Sequence, residues 1–143
     1  MSIEKNKALY CRFIDEVANR GNISAADEIL APAVVEHETL PAGLTPDRDG
    51  IKRLFEMLRT ALPDLRISIE DLIGDADMVV ARVTLRGTHR DVLLGVPATG
   101  RAVSYAAIDI SRWADGRMVE HWGVPDYLSL LQQLGALPAP SRD

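Results

Sequence analysis

A single cysteine, Cys11, in a chain of 143 residues excludes an intramolecular disulfide and any metal centre built on several thiolates. It falls inside a helical pattern and reads as a small core or near-core residue. Histidine is also scarce. His37, His89 and His121 are the three, and none stands four residues from another on a helix, so no local metal motif exists. No metal and no organic cofactor are expected. Long apolar runs are missing too: no window approaches the roughly 18 uninterrupted apolar residues of a membrane span. The start, MSIEKNKALYCRFIDEV, lacks the basic-then-apolar layout of a secretory signal, which points to a cytoplasmic address. Lys and Arg number 16 against 21 Asp and Glu, a net charge of -5. With no dense basic run, nucleic acid and anionic membrane are poor partners. There is no glycine-rich phosphate loop between a strand and a helix, and no serine in a GxSxG elbow.

What is present suits one domain with one core, since 47% of the residues are hydrophobic. The domain is expected over residues 1–137, with 138–143 as a loose tail. Ile3, Tyr10, Phe13, Ile14 and Val17 recur at helical spacing up to Gly21. Ser24 and Asp27 resemble a capping box for a short helix, Ala25 to Leu30, that stops before Pro32. Val34 to Glu38 reads as a short strand. Ile51, Leu54, Phe55, Leu58 and Leu62 mark a third helix, capped by Asp47 or Asp49 and stopped by Pro63. After Pro63 the period changes from about 3.6 to 2 and stays there to Val124. Strands are expected around Leu65–Glu70, Val79–Arg86, Arg101–Trp113 and Arg117–Val124, the last two joined at Ala114-Asp115-Gly116. Pro125 opens a final helix that ends at Gly135. Helices first and antiparallel strands after define an α+β fold.

The stretches PDLRISIEDLIGDADMVVARVTLRGTHRDVLLGVPATGR and IDISRWADGRMVEHWGVPDYLSLLQQLG, with ISAADEILAPAVVEHE before them, resemble the SnoaL-like polyketide cyclase family of the nuclear-transport-factor-two-like superfamily. The resemblance implies a curved antiparallel sheet forming a cone-shaped barrel, wrapped by helices around an apolar pocket. It implies a cofactor-independent aldol ring closure on a polyketide ester, in which an aspartate removes a proton beside a carbonyl. Asp126, in HWGVPD, is the aspartate carried over. The same scaffold also serves isomerases, hydrolases and non-catalytic modules that hold a hydrophobic ligand, because fold does not choose chemistry.

Each candidate residue has a plainer reading beside the catalytic one. Asp126 lies in the first turn of a helix, where the dipole stabilises a carboxylate without any catalysis. His89 shares parity with Val79, Ala81, Val83 and Leu85 and so points inward, or it meets solvent at the strand end. His121 and Trp122 alternate, so one of them lines the pocket; neither parity set is cleanly apolar. Asp109 shares a face with Tyr105, Ala107, Ser111 and Trp113, and mid-sheet it requires a partner, a polar pocket or an exposed face. The expected catalytic set is Asp126 assisted by His89, His121 or His37. Trp122, Asp109, Tyr105, Phe13 and Tyr10 form the expected binding set for a small hydrophobic molecule. A homodimer packed through the sheet face away from the cone is expected, because that face is left partly apolar.

Overall fold

The computed structural model describes residues 2–140. The Ser2 hydroxyl accepts the Lys5 amide proton at 3.1 Å and starts helix α1, Ile3–Phe13. The helix continues as a π-helical turn, Ile14–Asn19, and there its end is fastened to the rest of the molecule. The Asn19 side chain donates to the Ile67 carbonyl at 3.0 Å and accepts the Ile67 amide at 2.7 Å, so it acts as a one-residue strand neighbour. Arg59 donates to the Ala18 and Asn19 carbonyls, which the helix itself leaves unpaired. Gly21 then turns with φ of 72° directly under the Arg59 side chain.

The expected capping box does not form. Ser24 donates to Asn22 Oδ1 instead, and the helical segment is a 3-10 turn, Ile23–Ala25, followed by the single-turn helix α2, Ala26–Ile29. Strand β1, Leu30–Glu36, begins earlier than its β-branched residues suggest and runs through Pro32. Pro32 is tolerated because β1 is an edge strand and its register shifts between Leu30 and Val35. His37 and Glu38 follow the strand rather than belonging to it. Helix α3, Arg48–Ala61, is capped by Asp47, whose side chain accepts the Gly50 amide at 3.0 Å.

Strands β2, Arg66–Asp75, β3, Met78–Thr88, β4, Ala102–Ala114, and β5, Arg117–Pro125, join β1 in a five-stranded curved sheet in the order β1-β5-β4-β3-β2. Pairs from β2 to β5 are antiparallel, but β1 lies parallel to β5, which the long path through α3 permits. The β4–β5 hairpin turns on Asp115 and Gly116, at φ of 51° and 77°, as a short twist-matched turn requires. Pro125 ends β5 rather than opening the last helix, and α4, Tyr127–Gln133, is capped by Asp126.

One face of the sheet and the apolar sides of α1, α3 and α4 bury the core, which includes Tyr10, Ile29, Leu62, Trp113, Met118 and Leu130. Trp113 satisfies its indole N–H on Ser111 Oγ at 2.8 Å. Among the described residues, no helix is long and apolar enough to cross a membrane. Of the expected tail, residues 141–143 lie outside the described residues.

Candidate active site

Strict alternation governs β4, so Tyr105, Ala107 and Asp109 all point to the concave side. β5 is not so regular. Arg112 pairs with Glu120 but Trp113 pairs with Met118, so one residue of β5 is extra. This bulge resets the parity. Met118 and His121, three residues apart, both face inward, while Trp122 turns outward. Glu36, opposite His121 in the parallel pair, also faces inward.

These side chains meet in a hydrogen-bonded array. His121 Nδ1 lies 2.7 and 2.9 Å from the two Glu36 oxygens, and His121 Nε2 lies 3.1 Å from Asp109 Oδ1. The second Asp109 oxygen accepts the Tyr10 hydroxyl at 2.7 Å. The Glu36 side chain is only 2% exposed and that of His121 14%. Burial by itself lowers the His121 pKa, but the hydrogen bonds to Asp109 and Glu36, with their charges, outweigh it and push the value up to about 10. The ring is therefore an imidazolium at neutral pH and donates from both nitrogens. Burial, then the Asp109 charge, drives the Tyr10 phenol well above its ordinary range, so it stays a neutral donor. Tyr105 is raised chiefly by burial as well, and Tyr127 is pushed up to about 12 by burial and by Glu38.

The array closes the polar end of a narrow cavity of about 70 Å³ whose walls include Phe13, Leu54, Phe55, Val83, Leu85 and Tyr105. Glu38 lines it too. An outer apolar pocket of about 430 Å³, between Pro41–Ala42 and Val92–Gly95, shares Leu54, Leu58 and Tyr127 with the inner one. As for a metal, one ligand atom from each of Glu38, Asp109 and His121 lies within 4.8 Å of the others. A cation there would have to displace the proton that Glu36 and Asp109 hold on His121.

Of the expected residues, the structure gathers Tyr10, Phe13, Tyr105, Asp109 and His121 around this cavity. The others lie elsewhere. Asp126 is exposed, with its carboxylate on the Ser129 amide at 3.1 Å as the α4 cap. His89, one residue past β3, is buried outside the cavity and accepts the Thr99 amide on Nδ1 at 3.1 Å, pinning the loop that follows. His37 is on the outer side, stacked on Trp122 at 4.7 Å and 2.9 Å from Glu120. Glu36 and Glu38 are the site residues that sequence reasoning passed over. For Glu36 the signal was there, since within β1 it alternates with Val35 and shares the side of Val34, whereas Glu38 lies beyond the strand, where alternation gives no direction.

The molecule is thus a curved α+β sheet with a buried carboxylate–imidazolium array at the end of an apolar cavity. The family model for SnoaL-like polyketide cyclase matches residues 8–134, and the chain belongs to that family. Over 57 residues it is 44% identical to the aklanonic acid methyl ester cyclase DnrD of Streptomyces peucetius, a match covering 40% of this chain and 39% of that protein. The match to the aklanonic acid methyl ester cyclase AcmA of Streptomyces galilaeus is 38% over 60 residues, 42% of each chain. The matched segment thus spans about two fifths of the length of these relatives. Among solved structures, TsrD from Streptomyces laurentii superposes with a TM-score of 0.85 at 31% identity, over 96% of this chain and 99% of that one. IdmH from Streptomyces antibioticus gives 0.80 at 31%, over 91% and 98%.

Proposed function

We propose that this protein is a cofactor-independent ester cyclase that closes a ring by intramolecular aldol addition on an apolar polyketide-type carbonyl compound. The observation that carries this reading is the His121 imidazolium, clamped between Glu36 and Asp109 at the polar end of an otherwise apolar cavity. An aldol closure requires a carboxylate to take a proton from carbon beside a carbonyl, and a fixed positive field where the enolate oxygen develops. The His121 imidazolium supplies that positive charge in a largely apolar site, where it acts more strongly than in solution. The reacting end of the substrate enters the inner cavity, and its apolar remainder rests in the outer pocket against Tyr127. Aldol closure neither adds nor removes atoms. Incubation with aklanonic acid methyl ester, the compound in the relatives' names, is therefore expected to give a product of unchanged mass and altered retention. Unconverted ester after prolonged incubation with folded protein would rule this substrate class out.

The protein acts as a homodimer built on the outer sheet face. Ile108 stands opposite Val124 there, 51% and 75% exposed, and Ile110 stands opposite Trp122. Sedimentation at micromolar concentration is expected to show a dimer, and Val124→Glu a monomer. A monomeric wild type contradicts this arrangement.

A further inference from the structure

We infer that Glu38 is the carboxylate that takes and returns the proton, and that it holds its place because Gly123 has no side chain. This inference rests on the acid/base reading of the site and names its proton carrier. Three carboxylates reach the array, and two of them are occupied. Asp109 accepts Tyr10 on one oxygen and His121 on the other, so taking a proton would break one of those bonds. Both Glu36 oxygens face His121 Nδ1, and one also accepts the Glu38 amide at 2.9 Å. Among the described residues, nothing donates a hydrogen bond to the Glu38 carboxyl, and it lines the cavity beside the other two groups.

The backbone explains its position. Gly123 on β5 is the cross-strand partner of Asp109. A Cβ at this position would overlap Glu38 Oε1 and would lie 3.0 Å from both Asp109 Oδ1 and His121 Cε1. The carboxyl of Glu38 therefore occupies the volume that any other residue at 123 would fill. The groups around it are His121 on β5, Glu36 at the end of β1, Asp109 and Tyr105 on β4, and Tyr127 on α4. Burial raises the Glu38 pKa, His121 opposes the rise, Glu36 and Asp109 add to it, and the value reaches about 7. A base of that strength exchanges protons readily near neutral pH.

The cycle balances without a co-reactant. Ionised Glu38 takes the proton from the carbon beside the carbonyl, and the C–H electron pair becomes the enolate, which forms beside the His121 imidazolium charge. The enolate carbon bonds to the second carbonyl carbon, whose π pair moves to oxygen. Protonated Glu38 then gives its proton to that alkoxide and returns to the carboxylate.

Nitrobenzisoxazole, a small apolar probe, tests the base directly. A carboxylate removes its ring C–H proton, the N–O bond breaks, and a coloured phenolate nitrile forms. The wild-type protein is expected to open it at a rate that rises with pH through a midpoint near 7. Glu38→Gln should lose about 100-fold or more and the midpoint with it, while Glu38→Asp should restore part of the rate. Gly123→Ala removes no polar group, but its methyl displaces the Glu38 carboxyl and presses on Asp109 and His121, so it should lose the midpoint while the protein still folds with a lowered melting temperature. Asp109→Asn should be slower and should still show a midpoint, displaced from the wild-type position because the Asp109 charge helps set it. A Glu38→Gln protein with wild-type rate and profile overturns the inference, as does a wild type no faster than acetate in solution. The two readings fail separately. Probe opening that depends on Glu38, with no conversion of aklanonic acid methyl ester, removes the cyclase and leaves the base. Ring closure intact in Glu38→Gln does the reverse.

Discussion

Replacing His121 with leucine is expected to destabilise the protein by about 3–5 kcal/mol, the usual penalty for stranding one side of a buried ion pair. Glu36, with its side chain 2% exposed, would then face Asp109 with no cation between them. Urea unfolding measures the loss, and a midpoint shift equivalent to less than about 1 kcal/mol would show that the imidazolium does not hold these carboxylates. The double variant Glu36→Leu/His121→Leu should recover part of the deficit, because an apolar pair of similar volume requires no counter-charge. The pH dependence has a definite sign. The folded-state pKa of His121, about 10, lies above its ordinary 6.5. Its contribution is therefore complete below 6.5 and disappears as pH rises through about 10. Wild-type stability should fall on the alkaline side, and the leucine variant should lack that fall. Ring closure should be abolished in it at any pH.

Asp109→Asn is expected to lower ring closure by roughly 100-fold or more, while Asp126→Asn leaves it unchanged. The first change removes the charge that keeps His121 protonated and the acceptor that orients Tyr10. Asparagine can still accept from His121 with its oxygen, so the fold should survive and the loss should fall on kcat. The second change touches a solvent-facing helix cap, and asparagine caps about as well as aspartate. A large loss in Asp126→Asn with activity kept in Asp109→Asn would return the catalytic carboxylate to the start of α4.

The contrast between these two aspartates shows how far local pattern reaches. Asp109 was placed on the face of Tyr105, Ala107, Ser111 and Trp113 by alternation, and because β4 is regular that face is the concave one. Asp126 was carried over from a short motif, and the motif fixes position along the chain without fixing direction: its N-cap geometry turns the carboxylate back onto Ser129. His89 had the right parity but sits one residue beyond β3, where alternation no longer applies. The failed capping box at Ser24 has a similar cause. A hydroxyl beside Asn22 found a nearer acceptor than the helix amides.

The sequence by itself determined the order of helices and strands, the single cysteine's irrelevance to any disulfide, and the α+β class, because periods of 3.6 and 2 are local properties of a few consecutive residues. It also determined that His121 and Trp122 must face opposite ways. Which of them faces the cavity was decided only in the tertiary structure, by one extra residue in β5 whose effect on parity depends on pairing with β4. The array itself was decided there too: 85 residues separate Glu36 from His121 and 99 separate Tyr10 from Asp109. No local pattern records such pairs, since they meet only when β1 docks parallel to β5 and α1 lies across the concave face. The pKa of His121 follows from that meeting, because its charge is held by neighbours that the chain brings to it from β1 and β4.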